Sequence, residues 1–488
     1  MALRPWLLLF LLVAPMAGRA SARQGEGGGR TDPPRDEALL ALKTAIEFFH
    51  WEVSSHGGYV WRYSSDLTSR RGEAVVGPTT VWVQPPGTPS VGEAMLDAYL
   101  ASNDPDALDA ARDAAYALCK GQMHSGGWDY SIEFDPSKRP EFDYRENPNR
   151  PTTAGRNRRR TTLDDDTTQA SIRFLVRLDE ALGFEDARIH DAASYALDAV
   201  LRAQYPNGGW YVWWDRFPEP PSEQEYPVLA ASFPETWLRE WPNTWEGRYV
   251  TNDNLMSDLI DTLLLAHRTY GEQRYLDSAR KAGDFLVLAQ LPEPQPAWAQ
   301  QYNVAMHPEW SRKFEPPAVT GGESQGILQA LMRLYDATGE ETYLEPIPRA
   351  LEYLRRSRLP DGRLARFYEL ETNRPLYFTK DYTLTDSSDD MPTHYGFIVS
   401  SRLDRIAAEY EAIRARGRPA APEAPGPPRL SSGLAERARE AIAALDGRGA
   451  WVEEADNGSP IINSATFIRN VRVLADYLAA VDAAAESR

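Results

Sequence analysis

The segment Ala203-Gln204-Tyr205-Pro206-Asn207-Gly208-Gly209-Trp210 decides the fold prediction, because its pattern returns elsewhere in the chain. Residues 189–204 carry apolar side chains at the three-to-four spacing of one helix face. A polar turn, two glycines and an aromatic side chain follow at once. Another helix-forming segment ends at Gln122 and is followed by Ser125-Gly126-Gly127-Trp128. Two long helices are therefore predicted to end in the same kind of turn.

Weaker copies of this turn occur at residues 55–59, 360–364 and 447–451. The copies are spaced by very roughly 70 to 100 residues, about the length of a helical hairpin with its loops. Taken singly, each copy is explained by a helix C-terminal cap followed by a core tryptophan. Their recurrence after successive helices favours an all-α fold, an incomplete α/α toroid of helical hairpins with short β patches in loops.

Apolar periodicity places further helices along the body of the chain. They are predicted at residues 38–51, 91–101, 105–122, 166–182, 189–204, 254–270, 272–290, 324–338 and 342–356. Strand-like patches are short and isolated, at residues 79–83 and 364–368, so no extended sheet is expected.

The composition of the 488 residues is that of a globular protein, with 42% apolar and 25% charged side chains, which excludes wholesale disorder. A single cysteine, Cys119, excludes a disulfide framework within the chain and a cysteine-rich metal site. The formal net charge of −18 argues against generic nucleic-acid binding. An acidic substrate would need a local cationic patch or a bridging metal ion.

The first 22 residues are typical of a secretory signal peptide. Arg4 precedes an apolar run at residues 6–14, and Ala20-Ser21-Ala22 is a small-residue cleavage site. No later stretch of about 20 apolar residues follows, so no integral membrane segment is expected after cleavage. We therefore expect a secreted or periplasmic protein, acting as a monomer.

The remainder of the chain is expected to form one domain. Residues 23–37 are predicted to be a flexible spacer and residues 38–488 a single α/α-toroid domain. Within that domain, the proline-rich residues 419–428 are interpreted as a linker. Residues 429–488 follow as a C-terminal helical unit that caps the toroid, with helices at 432–445 and 466–479.

Two predicted helix starts carry clustered acidic and amide side chains. Asp164-Asp165-Asp166 opens one helix and Asn252-Asp253-Asn254 opens another. One Asp at each start is explained by helix capping. Three adjacent carboxylates exceed that role, and hard cations such as Ca²⁺ prefer oxygen ligands. If both starts face one mouth of the toroid, they form a metal site; capping alone remains the alternative.

The stretch at residues 311–324 combines a cation with unusual backbone chemistry. Arg312 lies among Trp298, Trp310 and Phe314, a setting in which a buried arginine needs a partner. Further cations follow at Arg366, Arg374 and Lys380, whose alternative explanation is surface salt bridges to Glu369 or Glu371. The sequence has no Gly-x-Ser-x-Gly nucleophile elbow, no phosphate-binding loop and no His-Glu-x-x-His zinc helix. It contains enough acidic residues to supply the two catalytic carboxylates of a glycoside hydrolase, so that alternative is kept.

Several of these segments resemble the pectate lyases of polysaccharide lyase family 10. The segments are 205–210, the Asp164 cluster and, most specifically, 298–302, 311–317 and 322–324. The resemblance spans about residues 40 to 485. It implies an incomplete α/α toroid that cleaves polygalacturonate by Ca²⁺-assisted β-elimination with an arginine base. A glycoside hydrolase on the same fold and a non-catalytic carbohydrate-binding surface protein are the alternatives.

The resemblance also implies roles for single residues. Arg312 matches the catalytic arginine, and Asp164 matches an acidic residue of the catalytic metal site. Asp253 matches the second acidic metal position, with Asp165 as a further candidate ligand. The implied substrate-binding residues are Arg366, Lys380, Arg374 and Trp210. An arginine can accept the proton only where its neighbours disfavour the charged form, and an alkaline optimum is expected.

The chain departs from the family pattern at three places. Asp165 and Asp166 stand where the family has a neutral Asn-Gly, and Lys380 stands where an arginine is usual. Trp210 is followed by Tyr-Val-Trp-Trp in place of the usual Pro-Gln.

Overall fold

The computed structural model describes residues 32–151, 155, 158–245, 247–417, 426 and 428–486. The predicted signal peptide (1–22), most of the predicted spacer and most of the predicted 419–428 linker lie outside the described residues. Export and the division into spacer, domain and cap therefore stay predictions. Among the described residues, no helix is both long enough and apolar enough to cross a membrane.

The described part of the chain is mainly helical, and all nine helices predicted for the body are confirmed within a few residues at their ends. A helix at 403–416 was not predicted. The helices are α1 Arg35–Phe48, α2 Thr88–Ser102, α3 Pro105–Gly121, α4 Thr167–Ala181, α5 Ala187–Ala203, α6 Leu255–Tyr270, α7 Gln273–Leu288, α8 Glu323–Thr338, α9 Ile347–Arg356, α10 Leu403–Arg416, α11 Ser432–Ala444 and α12 Ser464–Glu486.

The helices form two layers. The inner row runs α12, α2, α4, α6, α8 and α10, each helix packing on the next. The inner helices α2, α4 and α6 also pack on the outer helices α3, α5 and α7 that follow them in the chain, while α12 packs on α1 and α11. Among the described residues the row does not close into a barrel. The predicted all-α, incomplete α/α toroid is confirmed.

Short strands lie at the ends of the helices, and they are β1 Arg62–Ser64, β2 Arg70–Arg71, β3 Val75–Val76, β4 Thr80–Trp82, β5 Ser131–Glu133, β6 Thr161–Thr162, β7 Trp213–Trp214, β8 Tyr249–Val250, β9 Gln301–Tyr302, β10 Ala318–Thr320, β11 Leu364–Ala365, β12 Phe367–Glu369, β13 Pro375–Phe378, β14 Leu384–Thr385, β15 Ile398–Val399, β16 Val452–Glu454 and β17 Pro460–Asn463. They are short, as predicted, but not isolated. One sheet has the order β16-β17-β1-β2-β3 and another β10-β12-β13-β14. Strands of two to four residues are too short to show the alternation that identifies a strand in sequence.

A regular pairing of strands fixes the mouth of the toroid. Each of β4, β6, β8, β10 and β17 immediately precedes an inner helix. Of their antiparallel partners, β5, β7, β12 and β16 lie shortly after the recurrent glycine turns, and β9 follows a proline-rich turn at residues 292–298. The starts of the inner helices are thereby held at one end of the molecule. Side chains at those starts face a common space, as the candidate metal site requires.

The aromatic residues of both strong glycine turns belong to the core. Trp128 and Trp210 have no exposed surface, and neither has Trp298, which ends the proline-rich turn after α7. Their indole N–H groups donate to main-chain carbonyls of the preceding helix at 2.7–2.9 Å. Trp451 does the same at 2.8 Å. These tryptophans close the ends of the outer helices, so the cap-and-core explanation of each single copy is correct and coexists with the repeat.

Candidate active site

The helices α4 and α6 begin with the same backbone conformation. Each follows a 3-10 turn that contains positive φ values, 48° at Asp165 and 60° at Asp166 in one turn. The other turn has 48° at Asp253 and 62° at Asn254. Asp and Asn tolerate this left-handed region better than other residues with a side chain. Asp165 and Asp253 therefore occupy equivalent positions in two neighbouring repeats.

The three carboxylates proposed as metal ligands come together at these turns. One oxygen each from Asp164, Asp165 and Asp253 lies within 4.8 Å of the other two. Sequence reasoning placed all three residues in one site, and the structure brings them to one space. A set of three carboxylate oxygens suits a hard cation such as Ca²⁺.

Each of these carboxylates is oriented by a neighbouring donor. Tyr130 donates its hydroxyl hydrogen to Oδ2 of Asp164, at 2.7 Å. Gln84 donates to Oδ2 of Asp165 and Asn252 to Oδ2 of Asp253, both at 2.7 Å. Hydrogen bonds of this kind fix the orientation of metal ligands. Sequence reasoning missed Tyr130 and Gln84, although Tyr130 lies two residues after the Trp128 turn that it singled out.

The pKa values show that the cluster lacks a compensating charge of its own. Burial, with Glu323, Asp165 and Asp164 adding repulsion, raises the pKa of Asp253 to about 7. Burial and the charges of Asp164 and Glu73 raise the pKa of Asp165 to about 6. The nearby Arg312 lowers both values without cancelling the rise. A divalent cation would relieve this repulsion, so the residues present fit the implied metal.

Arg312 lies beside the carboxylate cluster, as predicted. Its Nη2 atom is 3.9 Å from Oδ2 of Asp253. Its guanidinium also forms an ion pair with the buried Glu315, and Nε donates to Oε2 of Glu315 at 2.8 Å. Burial lowers the pKa of Arg312, but the hydrogen bond and charge of Glu315 outweigh it and raise the pKa above its usual value. Without a bound cation, the protein groups around Arg312 therefore favour its charged form.

Arg366 is connected to the same site through Glu323 and Tyr395. Its Nη1 atom is 2.8 Å from Oε1 of Glu323, one of the carboxylates that raise the pKa of Asp253. The same atom is 3.4 Å from the hydroxyl of Tyr395, which donates to Oε1 of Glu315 at 3.0 Å. Glu315 and Tyr395 thus join Arg312 to Arg366. The structure places Arg366 with the site residues, as the resemblance implied.

Three of the residues implied to bind substrate lie elsewhere. Arg374 forms an ion pair with the buried Glu369, its Nε donating at 2.9 Å, which is the alternative considered from the sequence. Lys380 is an exposed side chain, 3.0 Å from Asp390. Neither lines the site cavity formed by the described residues. The binding role of Trp210 is wrong, because the side chain has no exposed surface.

A cavity of about 180 Å³ opens beside the cluster. Arg160 and Arg312 contribute cations, while Trp213 and Trp245 form aromatic walls that sequence reasoning missed. Trp245 belongs to the long loop between β7 and β8, whose Trp241 indole donates to the Ser311 carbonyl at 2.9 Å. The cavity is lined by Tyr130, Arg160, Thr162, Asp164, Val212, Trp213, Trp245, Val250, Asn252, Gln301, Ser311, Arg312 and Glu315. It offers a small acidic ligand two arginine side chains, Arg160 and Arg312, with the carboxylate cluster beside it.

A protein-family model described as "Pectic acid lyase" matches residues 122–226. This segment contains both strong glycine turns, the Asp164 cluster and helices α4 and α5. No curated protein sequence matches the chain.

Solved structures similar to this chain include carbohydrate-active enzymes. A mutant family 10 polysaccharide lyase from Cellvibrio cellulosa, in complex with trigalacturonic acid, is 16% identical with a TM-score of 0.43, over 67% of this chain and 98% of that one. Cellobiose 2-epimerase from Spirochaeta thermophila is 15% identical with a TM-score of 0.47, over 92% and 97%. The GH76 α-mannanase BT2949 from Bacteroides thetaiotaomicron is 12% identical with a TM-score of 0.43, over 93% and 97%. At these identities the similarity concerns the fold alone.

Proposed function

We propose that this protein is a polysaccharide lyase that cleaves polygalacturonate, or a related uronate polysaccharide, by Ca²⁺-assisted β-elimination. The observation that carries the proposal is the meeting of Asp164, Asp165 and Asp253 beside Arg312, at a cavity that Asp164 and Arg312 line. The family-model match to residues 122–226 supports a lyase, and one similar solved structure contains trigalacturonic acid.

Asp164, Asp165 and Asp253 would hold the cation, oriented by Tyr130, Gln84 and Asn252. When bound, Ca²⁺ supplies positive charge that neutralises a uronate carboxylate and the negative charge that develops beside it. Arg160 adds a cation to the cavity wall. Its guanidinium forms an ion pair with Asp129, in which Nη2 is 2.9 Å from Oδ1. These groups let a chain of charge −18 accept an acidic sugar.

Arg312 is the proposed base, which takes the proton from C5, the carbon next to the uronate carboxylate. The electron pair left behind forms the C4–C5 double bond as the glycosidic C4–O bond breaks, and the departing oxygen takes a proton from water. Glu315 orients the guanidinium through its two carboxylate oxygens. Because Glu315 also raises the pKa of Arg312, the neutral form needs high pH, and activity should rise toward alkaline conditions. Arg366 is proposed to bind a neighbouring substrate carboxylate. No substrate role is proposed for Arg374, Lys380 or Trp210.

The test is an incubation of the protein with polygalacturonate and Ca²⁺ at alkaline pH, followed by ultraviolet absorbance of the unsaturated product. Arg312→Ala should lower the rate at least about 100-fold, as expected for loss of an acid–base group. Arg363→Ala removes an exposed arginine paired with Asp361 and is the matched control, with an unchanged rate. New reducing ends without ultraviolet absorbance would identify the protein as a glycoside hydrolase. Binding of polygalacturonate without any product would identify it as a non-catalytic binding protein.

A further inference from the structure

A second cavity, of about 460 Å³, lies next to the candidate active site. Its walls include the aromatic side chains of Tyr211, Trp213, Trp214 and Tyr226, and we name it the aromatic pocket. The indole of Trp214 donates to the Ser125 carbonyl at 2.8 Å. Tyr226 packs on the largely buried Tyr205, with ring centroids 4.4 Å apart. These contacts hold two of the rings in place before any ligand binds.

The aromatic pocket and the site cavity share one wall, because Trp213 lines both. In the β6–β7 pair, Trp213 lies opposite Thr162, another residue of the site cavity and only two positions before Asp164. The ring of Tyr211 is also 6.2 Å from that of Trp245, an opposite wall of the site cavity. Because the two cavities share Trp213, a polymer held beside the carboxylate cluster would bring a neighbouring unit toward the aromatic pocket.

The charges of the two cavities differ. The aromatic pocket is lined by three carboxylates, those of Asp215, Glu219 and Glu225, and among the described lining residues by one cation, Arg216. Asp215 pairs with Arg159 at 2.9 Å and lies 3.7 Å from Arg216, and Glu219 pairs with Arg202 at 2.9 Å. A uronate placed there would therefore find these cations already paired with carboxylates, and it would face the further carboxylate of Glu225. A neutral pyranose would meet aromatic faces that combine apolar surface with polar edges, the usual lining of a small-ligand site.

We propose that the aromatic pocket binds a neutral sugar unit of the glycan whose uronate occupies the site cavity. The substrate is then a mixed polysaccharide, in which a neutral pyranose lies near the cleaved uronate, and not a chain of uronates alone. This inference rests on the proposed lyase function. Its basis is the shared wall at Trp213, the aromatic lining and the pairing of the neighbouring cations with carboxylates of the pocket.

The first experiment compares two substrates of equal length in the ultraviolet assay. One is a hexasaccharide in which galacturonate alternates with rhamnose, and the other is hexagalacturonate. We expect wild-type kcat/KM to be at least about fivefold higher for the alternating glycan, the difference expected from one favourable and one repelled unit. Equal values, or a preference for hexagalacturonate, would overturn the proposal.

Charge reversal at one position tests the stated cause of that preference. Glu225→Lys replaces an exposed carboxylate of the pocket with a cation and should narrow the ratio between the two substrates at least about twofold. Glu223→Lys makes the same change two residues away, at an exposed position outside the pocket lining, and should leave the ratio unchanged. An equal change of the kcat/KM ratio in both variants would show that the charge of the pocket itself does not set the substrate preference.

A binding measurement separates this inference from the proposed function. Galactotetraose has no carboxylate for elimination, so saturation-transfer NMR reports its binding whether or not the protein is a lyase. We expect saturation transfer from the wild-type protein to galactotetraose, and we expect none from Tyr226→Ala. Circular dichroism would check that the variant is folded. Absence of contact with wild-type protein would refute the neutral-sugar pocket. Contact together with no unsaturated product from any uronate would refute only the lyase proposal.

Discussion

At the scale of single residues, the site is defined by carboxylates that crowd one another. Asp165 and Asp253 are held at equivalent turns, where burial and mutual repulsion raise their pKa values to about 6 and about 7. Their ordinary pKa is 3.8, so the folded metal-free protein keeps protons that the unfolded chain has released. The contribution of these two carboxylates to the stability of the metal-free protein should therefore fall as pH rises from about 4 to about 7, a loss that Asp253→Asn should reduce in urea denaturation.

The same shifts make Ca²⁺ binding depend on pH. The cation binds the deprotonated carboxylates, and binding must expel protons wherever the pH lies below their pKa values. We expect the rise in melting temperature caused by Ca²⁺ to be larger at pH 8 than at pH 5, when both are measured at equal Ca²⁺ concentration. Asp253→Asn should reduce that rise at pH 8. An equal rise at both pH values in the wild-type protein would contradict the assignment.

The role of Arg312 can be tested by exchanging its type of cation. Lysine has a lower pKa than arginine, so a base at this position would become neutral at lower pH in Arg312→Lys. We expect kcat to fall by at least about tenfold, because lysine loses the two-pronged contact with Glu315, while the pH optimum moves toward neutrality. The measurement is the pH profile of kcat/KM in the ultraviolet assay. A profile of unchanged shape would remove Arg312 from proton transfer.

At the scale of elements, the glycine turns set the spacing between neighbouring repeats. Gly208 has a φ of +95°, and a Cβ added there would lie 1.8 Å from the carbonyl oxygen of Lys281 in α7. The turn after α5 therefore touches the main chain of the next outer helix. Gly271 has a φ of +70°, but nothing lies within 4 Å of an added Cβ.

These two glycines give a matched pair of variants. Gly271→Ala should cost about 1 kcal/mol of unfolding free energy, the penalty of a left-handed conformation for a residue with a side chain. Gly208→Ala should cost at least about 2 kcal/mol more, because the main chain of α7 must move away. Urea denaturation of both variants measures the difference. Equal costs would show that the turn does not pack against α7 closely enough to matter.

Much of the elements' arrangement could be predicted from the sequence, for a physical reason. Helices of ten or more residues repeat their apolar spacing several times, so the nine helices predicted for the body and the two predicted for the C-terminal unit were all found. Strands of two to four residues are too short to show an alternation of apolar and polar side chains. Many of their pairing partners lie far away in the chain, so the sequence did not predict the sheets. Trp210 shows the limit for side chains, because a tryptophan after two glycines is equally suited to a core and to a binding surface.

At the scale of the whole molecule, the toroid gathers side chains that are remote in sequence. Asp164 and Asp253 could be identified because each opens a predicted inner helix, and the pairing of short strands places those openings together. Gln84 and Trp245 could not, because they lie on loops whose course depends on contacts with other repeats. The expected export and monomeric state concern properties that the fold does not address, and they stay predictions.

The most direct test of the central claim is the rate of unsaturated product formation from polygalacturonate, measured with Ca²⁺ and with a chelator in its place. We expect wild-type protein to form product with Ca²⁺ and to form it at least about 100-fold more slowly with the chelator. Asp253→Ala should be slow with Ca²⁺ and recover in part when Ca²⁺ is in excess. Product formed at the same rate with the chelator, or undiminished in Asp253→Ala, would contradict a cation held beside Arg312.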